Sequence, residues 1–306
     1  MATVLCVGHA VQDFVFTVRE LPRSAGKHQA SHFQSVGGGP AATAAVAIAR
    51  LGGRAVLAAR VGDDAVAEAI IGELEGYGVD CGAVLRLPGC ASSLSAVMID
   101  AAGERMIVNH LDRAMDASAT WLPDPATAGA ATVLADCRWP KGAERALAAA
   151  RDRSIPGVLD ADTPVPRSGP LLQLASHVAF SAEALADYTG EADPVRGLRM
   201  AGPRLGGWCC VTAGAAGVYV LDGAAVTHFA GHAVTAVDTL GAGDVWHGAF
   251  ALGLAEGMGE ADSVSFASAA AALKVRRRGG RAGAPWREEV DEFMRTSQMP
   301  ATRTVK

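Results

Sequence analysis

The stretch Asp238-Thr239-Leu240-Gly241-Ala242-Gly243-Asp244 sets three small residues between acids, immediately before an apolar helical run over 245–256. Small residues at 241–243 let backbone N–H groups approach an anion closely, and the positive end of the following helix adds to the attraction. A phosphoryl group in transfer is an anion that such a turn stabilises. Asp244, in the first helical turn, faces the same spot, and a carboxylate there can accept the proton of an attacking hydroxyl. A bare G-x-G-D is equally an ordinary glycine turn ahead of a helix, so the rest of the chain has to decide.

Two more glycine clusters stand at element boundaries. Val36-Gly37-Gly38-Gly39-Pro40-Ala41-Ala42-Thr43-Ala44 opens an Ala-rich helix and either lets a polar ligand lie against main chain or brings helix and sheet close together. Val211-Thr212-Ala213-Gly214-Ala215-Ala216-Gly217 turns the end of a strand through two glycines, which alone could be a hairpin.

The elements that must hold these turns alternate along the chain. Apolar runs at 4–7, 55–60, 133–135, 158–159, 209–211 and 218–221 read as strands. Helices are expected over 40–50, from a cap at Asp63 to about residue 77, over 142–151, and twice after Gly241. This β–α order predicts an α/β fold with a mostly parallel sheet covered by helices on both faces. Segments 14–33 and 92–110 alternate with period two instead. The second contains a hairpin around Ala101-Ala102-Gly103, and both segments are read as a small antiparallel lid inserted into a single domain spanning 1–306. The polar tail from Thr296 is expected to fray.

Composition narrows the function. Half of the 306 residues are hydrophobic, which supports a full core, and the net charge of −5 offers no bulk positive field for nucleic acid or an anionic membrane. Arg276-Arg277-Arg278 with Arg281 lacks interleaved aromatics and reads as a solvated turn near a cleft mouth. The N-terminus lacks a signal-peptide pattern and no apolar run is long enough to span a bilayer. The six cysteines form no C-x-x-C and read as buried thiols in a reducing cytoplasm. His9, His28, His32 and His110 fall near the expected lid without a metal-site spacing.

Together and in this order, the motifs resemble the ribokinase-like (PfkB) carbohydrate kinases over nearly the whole chain. The likeness includes Gly8, Asp13, Val61-Gly62-Asp63-Asp64, Gly103-Glu104-Arg105 and the Gly-Ala-Gly-Asp turn. The resemblance implies a ribokinase-like fold and transfer of the ATP γ-phosphoryl group to a sugar hydroxyl. It makes Asp244 the base and Gly241, Ala242 and Gly243 the anion hole. It puts Thr212, Gly214 and Gly217 on the nucleotide and Asp13, Gly38 and Gly39 on the sugar. Asp238 matches a position that in many members helps hold a monovalent cation such as potassium, and magnesium arrives with ATP. Lid sheets in this family often pair into homodimers. The chain departs from the family pattern at Thr43, where Asn is usual. It departs again at Ser181-Ala182-Glu183-Ala184 before Tyr188-Thr189-Gly190, where an N-x-x-E is usual, so the water network around magnesium lacks its customary residues.

One branch is closer. Gly37–Ala47, Leu134-Ala135-Asp136-Cys137-Arg138-Trp139 and Gly279-Gly280-Arg281-Ala282-Gly283 look like bacterial 6-deoxy-6-sulfofructose kinases. That likeness implies a substrate with a terminal sulfonate held by Lys27, Asn109 and Arg138, phosphorylated at C1. Two cations and a neutral donor suit three sulfonate oxygens. Fructose 6-phosphate, tagatose 6-phosphate or another ketose are the alternative substrates. The altered magnesium motif also admits a non-catalytic protein that senses sugar or nucleotide.

Overall fold

The computed structural model describes residues 1–305 apart from 103, 117, 126–127, 164, 166–168 and 298–299. The chain begins with β1 (Thr3–Gly8), β2 (Val11–Thr17), β3 (His32–Gly38), α1 (Pro40–Arg50), β4 (Arg54–Gly62), α2 (Ala65–Gly76) and β5 (Asp80–Leu87). Next come β6 (Leu94–Ile99), β7 (Arg105–His110), β8 (Thr132–Asp136), α3 (Pro140–Asp152), β9 (Gly157–Ala161), α4 (Leu171–Leu174) and β10 (His177–Ser181). They are followed by α5 (Ala182–Thr189), α6 (Pro194–Ala201), β11 (Trp208–Thr212), β12 (Val218–Asp222), β13 (Ala225–Phe229), α7 (Ala242–Ala255), α8 (Glu260–Lys274), α9 (Arg287–Thr296) and β14 (Thr302–Val305).

Ten strands form one sheet in the order β14-β13-β12-β11-β10-β9-β8-β1-β4-β5. The seven strands from β11 to β5 run parallel, and β12, β13 and β14 extend the sheet antiparallel. The central strands are apolar throughout because both faces are covered. In β1, Val4 and Cys6 join one helical layer while Leu5 and Val7 join the other, as the two-residue period requires. The first layer takes Ala-rich α1, α7 and α8, whose small side chains let helix and sheet approach closely. The second takes α3, α5 and α6.

A separate four-stranded sheet, β3-β2-β6-β7, takes its strands from 11–17, 32–38, 94–99 and 105–110; residues 18–31, expected to alternate as part of the lid, form a loop between β2 and β3. The sheet consists of two antiparallel pairs, β2–β3 and β6–β7, joined along a parallel β2–β6 seam. Gly103, in the expected hairpin turn, lies outside the described residues.

Two further expectations are corrected. The cap of α2 is Asp64, not Asp63: its carboxylate accepts from Ala67 N at 2.8 Å and also from Ser92 N and Oγ. The tail does not end frayed, because Thr302–Val305 pairs with β13 as the sheet's last strand. A four-residue strand with alternating threonines carries little apolar signal of its own; the edge of β13 supplies its order.

Candidate active site

The parallel strands β8 and β9 deliver acids at their C-terminal ends: Asp136 closes β8, Asp160 lies in β9, and Asp162 follows it. Asp136 is buried, and its carboxylate accepts from His9 N and Arg138 N at 2.8 Å and from Ala41 N at 3.1 Å. It thereby ties the end of β1, the start of α1 and the loop after β8 into one rim. Ligands in open α/β sheets settle at such strand ends.

α7 points its N-terminus at this rim. Gly241 caps the helix at φ +76°, a left-handed conformation that favours glycine. Ala242 and Gly243 form the first turn, and a β-carbon on Gly243 would meet only open space, so an incoming group has free access to the backbone there. Asp244 follows, half-buried. Burial pushes its pKa up to about 7, and the nearby charge of Asp160 pushes the same way. One helical turn on, His247 is buried with Nδ1 3.4 Å from Asp160 Oδ2. Burial lowers the imidazole's pKa and raises the Asp160 carboxyl well above the usual range, so burial favours the neutral form of each. A carboxyl group titrating near neutrality at a helix N-terminus is suited to take up a hydroxyl proton.

A cavity of about 360 Å³ opens on the other side of the same turn. It is lined by Thr212, Gly214 and Gly217 after β11, by Ala242 and Gly243, and by the indole of Trp246. The structure thus brings together two groups of residues that sequence placed on opposite halves of one reaction. The remaining walls are mostly small and apolar, with His232, Thr239 and Ser268 among them, which suits a flat heteroaromatic ring with polar edges.

On the far side, the small sheet presents Asp13, buried in β2. Burial raises its pKa against a hydrogen bond from Ser95 and the charge of Arg281. Gly38 is required by this arrangement, because a β-carbon there would collide with the Asp13 carboxylate, and one on Gly37 would collide with the Arg281 guanidinium. Gly39 caps α1. Asn109 sits opposite Ser95 across β6–β7, and its amide donates to Ser95 Oγ at 3.1 Å and Leu94 O at 3.2 Å. Arg138, half-buried, donates to Asp162 Oδ2 at 3.1 Å. Lys27 lies exposed in the long loop between β2 and β3.

A model of the pfkB family of carbohydrate kinases matches residues 1–287. The chain belongs to that family. It is a sugar kinase that uses ATP as phosphoryl donor. Several relatives cover it almost end to end. Ribokinase of Bacillus subtilis is 26% identical across 96% of this chain and 100% of its own length. The crystal structure of an Agrobacterium tumefaciens protein provisionally named a ribokinase is 38% identical, with TM-score 0.89 over 96% of this chain and 97% of the other. Arabidopsis thaliana ribokinase, solved with ribose and ATP, superposes with TM-score 0.85 over 97% and 99% at 24% identity, a likeness of fold.

Within this sugar kinase, Arg281 differs from expectation. Arg281 is not part of a solvated turn. It is fully buried, with Nε and Nη2 on the Glu73 carboxylate at 3.1 and 3.0 Å. Each oxygen of Asp238 already accepts from a donor. Oδ1 takes Leu240 N at 2.9 Å, Oδ2 takes Gly279 N and Gly280 N at 3.0 and 3.2 Å, and the carbonyl oxygen takes Lys274 Nζ at 2.9 Å. Burial acts to raise the carboxyl's pKa, but these donors outweigh it and hold the group below the usual carboxylate range. A monovalent ion at Asp238 would have to share the carboxylate with the Lys274 ammonium, 3.5 Å from Oδ2.

Sequence reasoning also missed Asp160 and His247. Asp160 was hidden in an apolar strand, although an acid at the C-terminal end of a parallel strand is itself a signal. His247 stands three residues after Asp244, on the same helical face, and that spacing was available.

Proposed function

We propose that this sugar kinase acts on a ketose with a terminal anion, 6-deoxy-6-sulfofructose, and phosphorylates its C1 hydroxyl. The observation that carries the reading is Arg138. Its guanidinium stands half-exposed at the same strand ends as Asp136 and Asp160, and only part of its fork is engaged by Asp162. Arg60 adds a second cation, and the charges of both arginines, after burial, help hold the His9 imidazole's pKa down. A neutral pentose would leave the unengaged part of the Arg138 fork without an anionic ligand, whereas Arg60 already donates to Asp116 O and lies over the Trp139 ring. Asn109 and Lys27 would approach from the small sheet, closing over the sugar as a lid while Asp244 meets the other end. Anchoring the remote anion in this way supports the chemical step at C1.

The residues then divide the work. Asp13 accepts hydroxyls of the sugar, and Gly38 and Gly39 let it lie against main chain. Asp244 takes the C1 proton, and the N–H groups of the 241–243 turn receive the phosphoryl oxygens. Thr212, Gly214 and Gly217 border the nucleotide. Magnesium would arrive on the nucleotide's phosphates and, when bound, would neutralise the charge that develops on them. Six free cysteines suit a reducing cytoplasm. The outer face of the small sheet suits pairing of two lids in a homodimer.

A second reading, ribose, is favoured by the relatives named ribokinase that span the chain. A turnover panel decides between them: 6-deoxy-6-sulfofructose, fructose 6-phosphate, fructose and ribose at equal concentrations. The sulfosugar should give the highest kcat/KM, and Arg138→Ala should lower it by about tenfold or more, as for a charged hydrogen bond, while leaving fructose unchanged. A higher kcat/KM for ribose, indifferent to Arg138→Ala, would establish the second reading.

A further inference from the structure

Lys274 is the last residue of α8, and its side chain has no exposure to solvent. Lysine is seldom fully buried unless its charge is met. Here the ammonium donates to Asp238 O at 2.9 Å and stands 3.5 Å from Asp238 Oδ2. Two segments meet at this point. One is the turn that begins with Asp238 and runs on to Gly241, Ala242 and Gly243. The other is the chain after α8, stitched to the first by Val237 N and Asp238 N on Val275 O, and by Gly279 N and Gly280 N on Asp238 Oδ2.

A monovalent ion at this position would have to share the Asp238 carboxylate with a resident positive charge 3.5 Å from Oδ2. Two like charges on one carboxylate repel, so the ammonium disfavours the ion. The ammonium already supplies what such an ion would: a fixed positive charge, and a bridge that holds the turn in register with the segment after α8. We propose that Lys274 is a built-in cation that positions the phosphoryl-receiving turn through Asp238, so that this kinase works without potassium or sodium. Lys274 touches neither sugar nor nucleotide in this scheme; it is a positioning residue, and its effect falls on kcat rather than on sugar binding. The inference rests on membership of the sugar-kinase family and not on which sugar is the substrate.

The test uses the intact enzyme with whichever sugar it turns over best. Wild-type kcat should be the same, within about twofold, in tetramethylammonium, sodium and potassium chloride at equal ionic strength, and its Tm should not rise with potassium, as it would if the ion bound the folded state. Lys274→Met keeps the bulk and removes the charge. It should lower kcat by about tenfold or more with sugar KM unchanged, since the donors of the turn lose their alignment. Potassium or ammonium ions should restore part of the rate, and the variant's Tm should now climb with potassium. Activation of the wild type by potassium, or a potassium-dependent rise in its Tm, would overturn the proposal. So would a folded Lys274→Met enzyme that keeps full kcat without monovalent ions. A loss of rate that no ion restores would also count against it, reducing Lys274 to a strut. If Lys274→Met does not fold, the wild-type salt series and Tm measurements decide alone.

Discussion

Asp244 must be ionised to accept a proton, yet its surroundings favour the protonated form. Burial, with Asp160 adding charge of the same sign, raises its pKa to about 7. The sign of the pH dependence follows. The acid form is inactive as a base, so kcat/KM should climb with pH through about 7 and level off above it, falling about tenfold for each unit on the acid side. A flat profile between pH 6 and 8, with proton transfer rate-limiting, would remove this role. Asp244→Asn should lower kcat by about two to four powers of ten, the range for loss of a general base. The same substitution should raise Tm above neutral pH. A carboxyl whose folded pKa lies above its unfolded value costs stability once it is ionised, and Asn removes that penalty. A calorimetric scan at pH 8 together with steady-state rates checks both halves.

The glycine strand β3 and the helix α1 that follows it show what sequence could and could not reveal. Pro40 at the first turn and the alanine run predicted α1 over 40–50, and the structure begins and ends it there. The strands at 4–7 and 55–60 were equally legible, because a strand buried on both faces is apolar along its whole length. The Gly38–Asp13 fit was legible only as a family trait, and the reason for Gly37 was not legible at all. Arg281 comes from the far end of the chain and fills the space beside Gly37, with Glu73 of α2 as its partner. Beside Arg276, Arg277 and Arg278 it reads as one more surface cation, and Lys274 at a helix C-terminus reads as an ordinary dipole partner. Burial of these charges depends on partners distant in sequence, which local pattern does not carry. The ion pair predicts an asymmetry. Glu73→Gln leaves a fully buried guanidinium uncompensated and should cost about 3 kcal/mol in a denaturant titration, whereas Arg281→Met leaves a half-exposed carboxylate that water can reach and should cost less. The opposite ranking would mean that Arg281 contributes mainly through packing.

Across the whole molecule, the small sheet has two unlike faces, and its register shows why. Asp13, Ser95 and Asn109 lie side by side in neighbouring strands, and Val15 and Val97 pair in the next row but one; Asp13, Ser95, Val15 and Val97 are buried toward the large sheet. The alternate positions face away. Phe33, Phe16, Met98 and Met106 form one continuous row across all four strands, with Phe14, Ala96 and Val108 in a parallel row. Phe14 stacks on Phe33 and Phe16 packs against it at a tilt, yet Phe33 remains 51% and Val108 62% exposed. An apolar row four strands wide with an unpaired edge at β7 is a surface that self-association would cover. A second copy is the occupant proposed for it, because the row is self-complementary under a twofold axis and needs no other chemistry. Phe33→Glu combined with Val108→Glu sets like charges against each other across that axis without touching the buried face. Sedimentation at micromolar concentration should then show a dimer for the wild type and a monomer for the variant. Because Asp13 and Asn109 ride on the same four strands, loss of the partner should also loosen the lid and raise sugar KM by several-fold, with kcat less affected. A wild type that sediments as a monomer over the whole concentration range would leave this apolar face without its proposed partner, while a variant that stays dimeric would move the interface elsewhere.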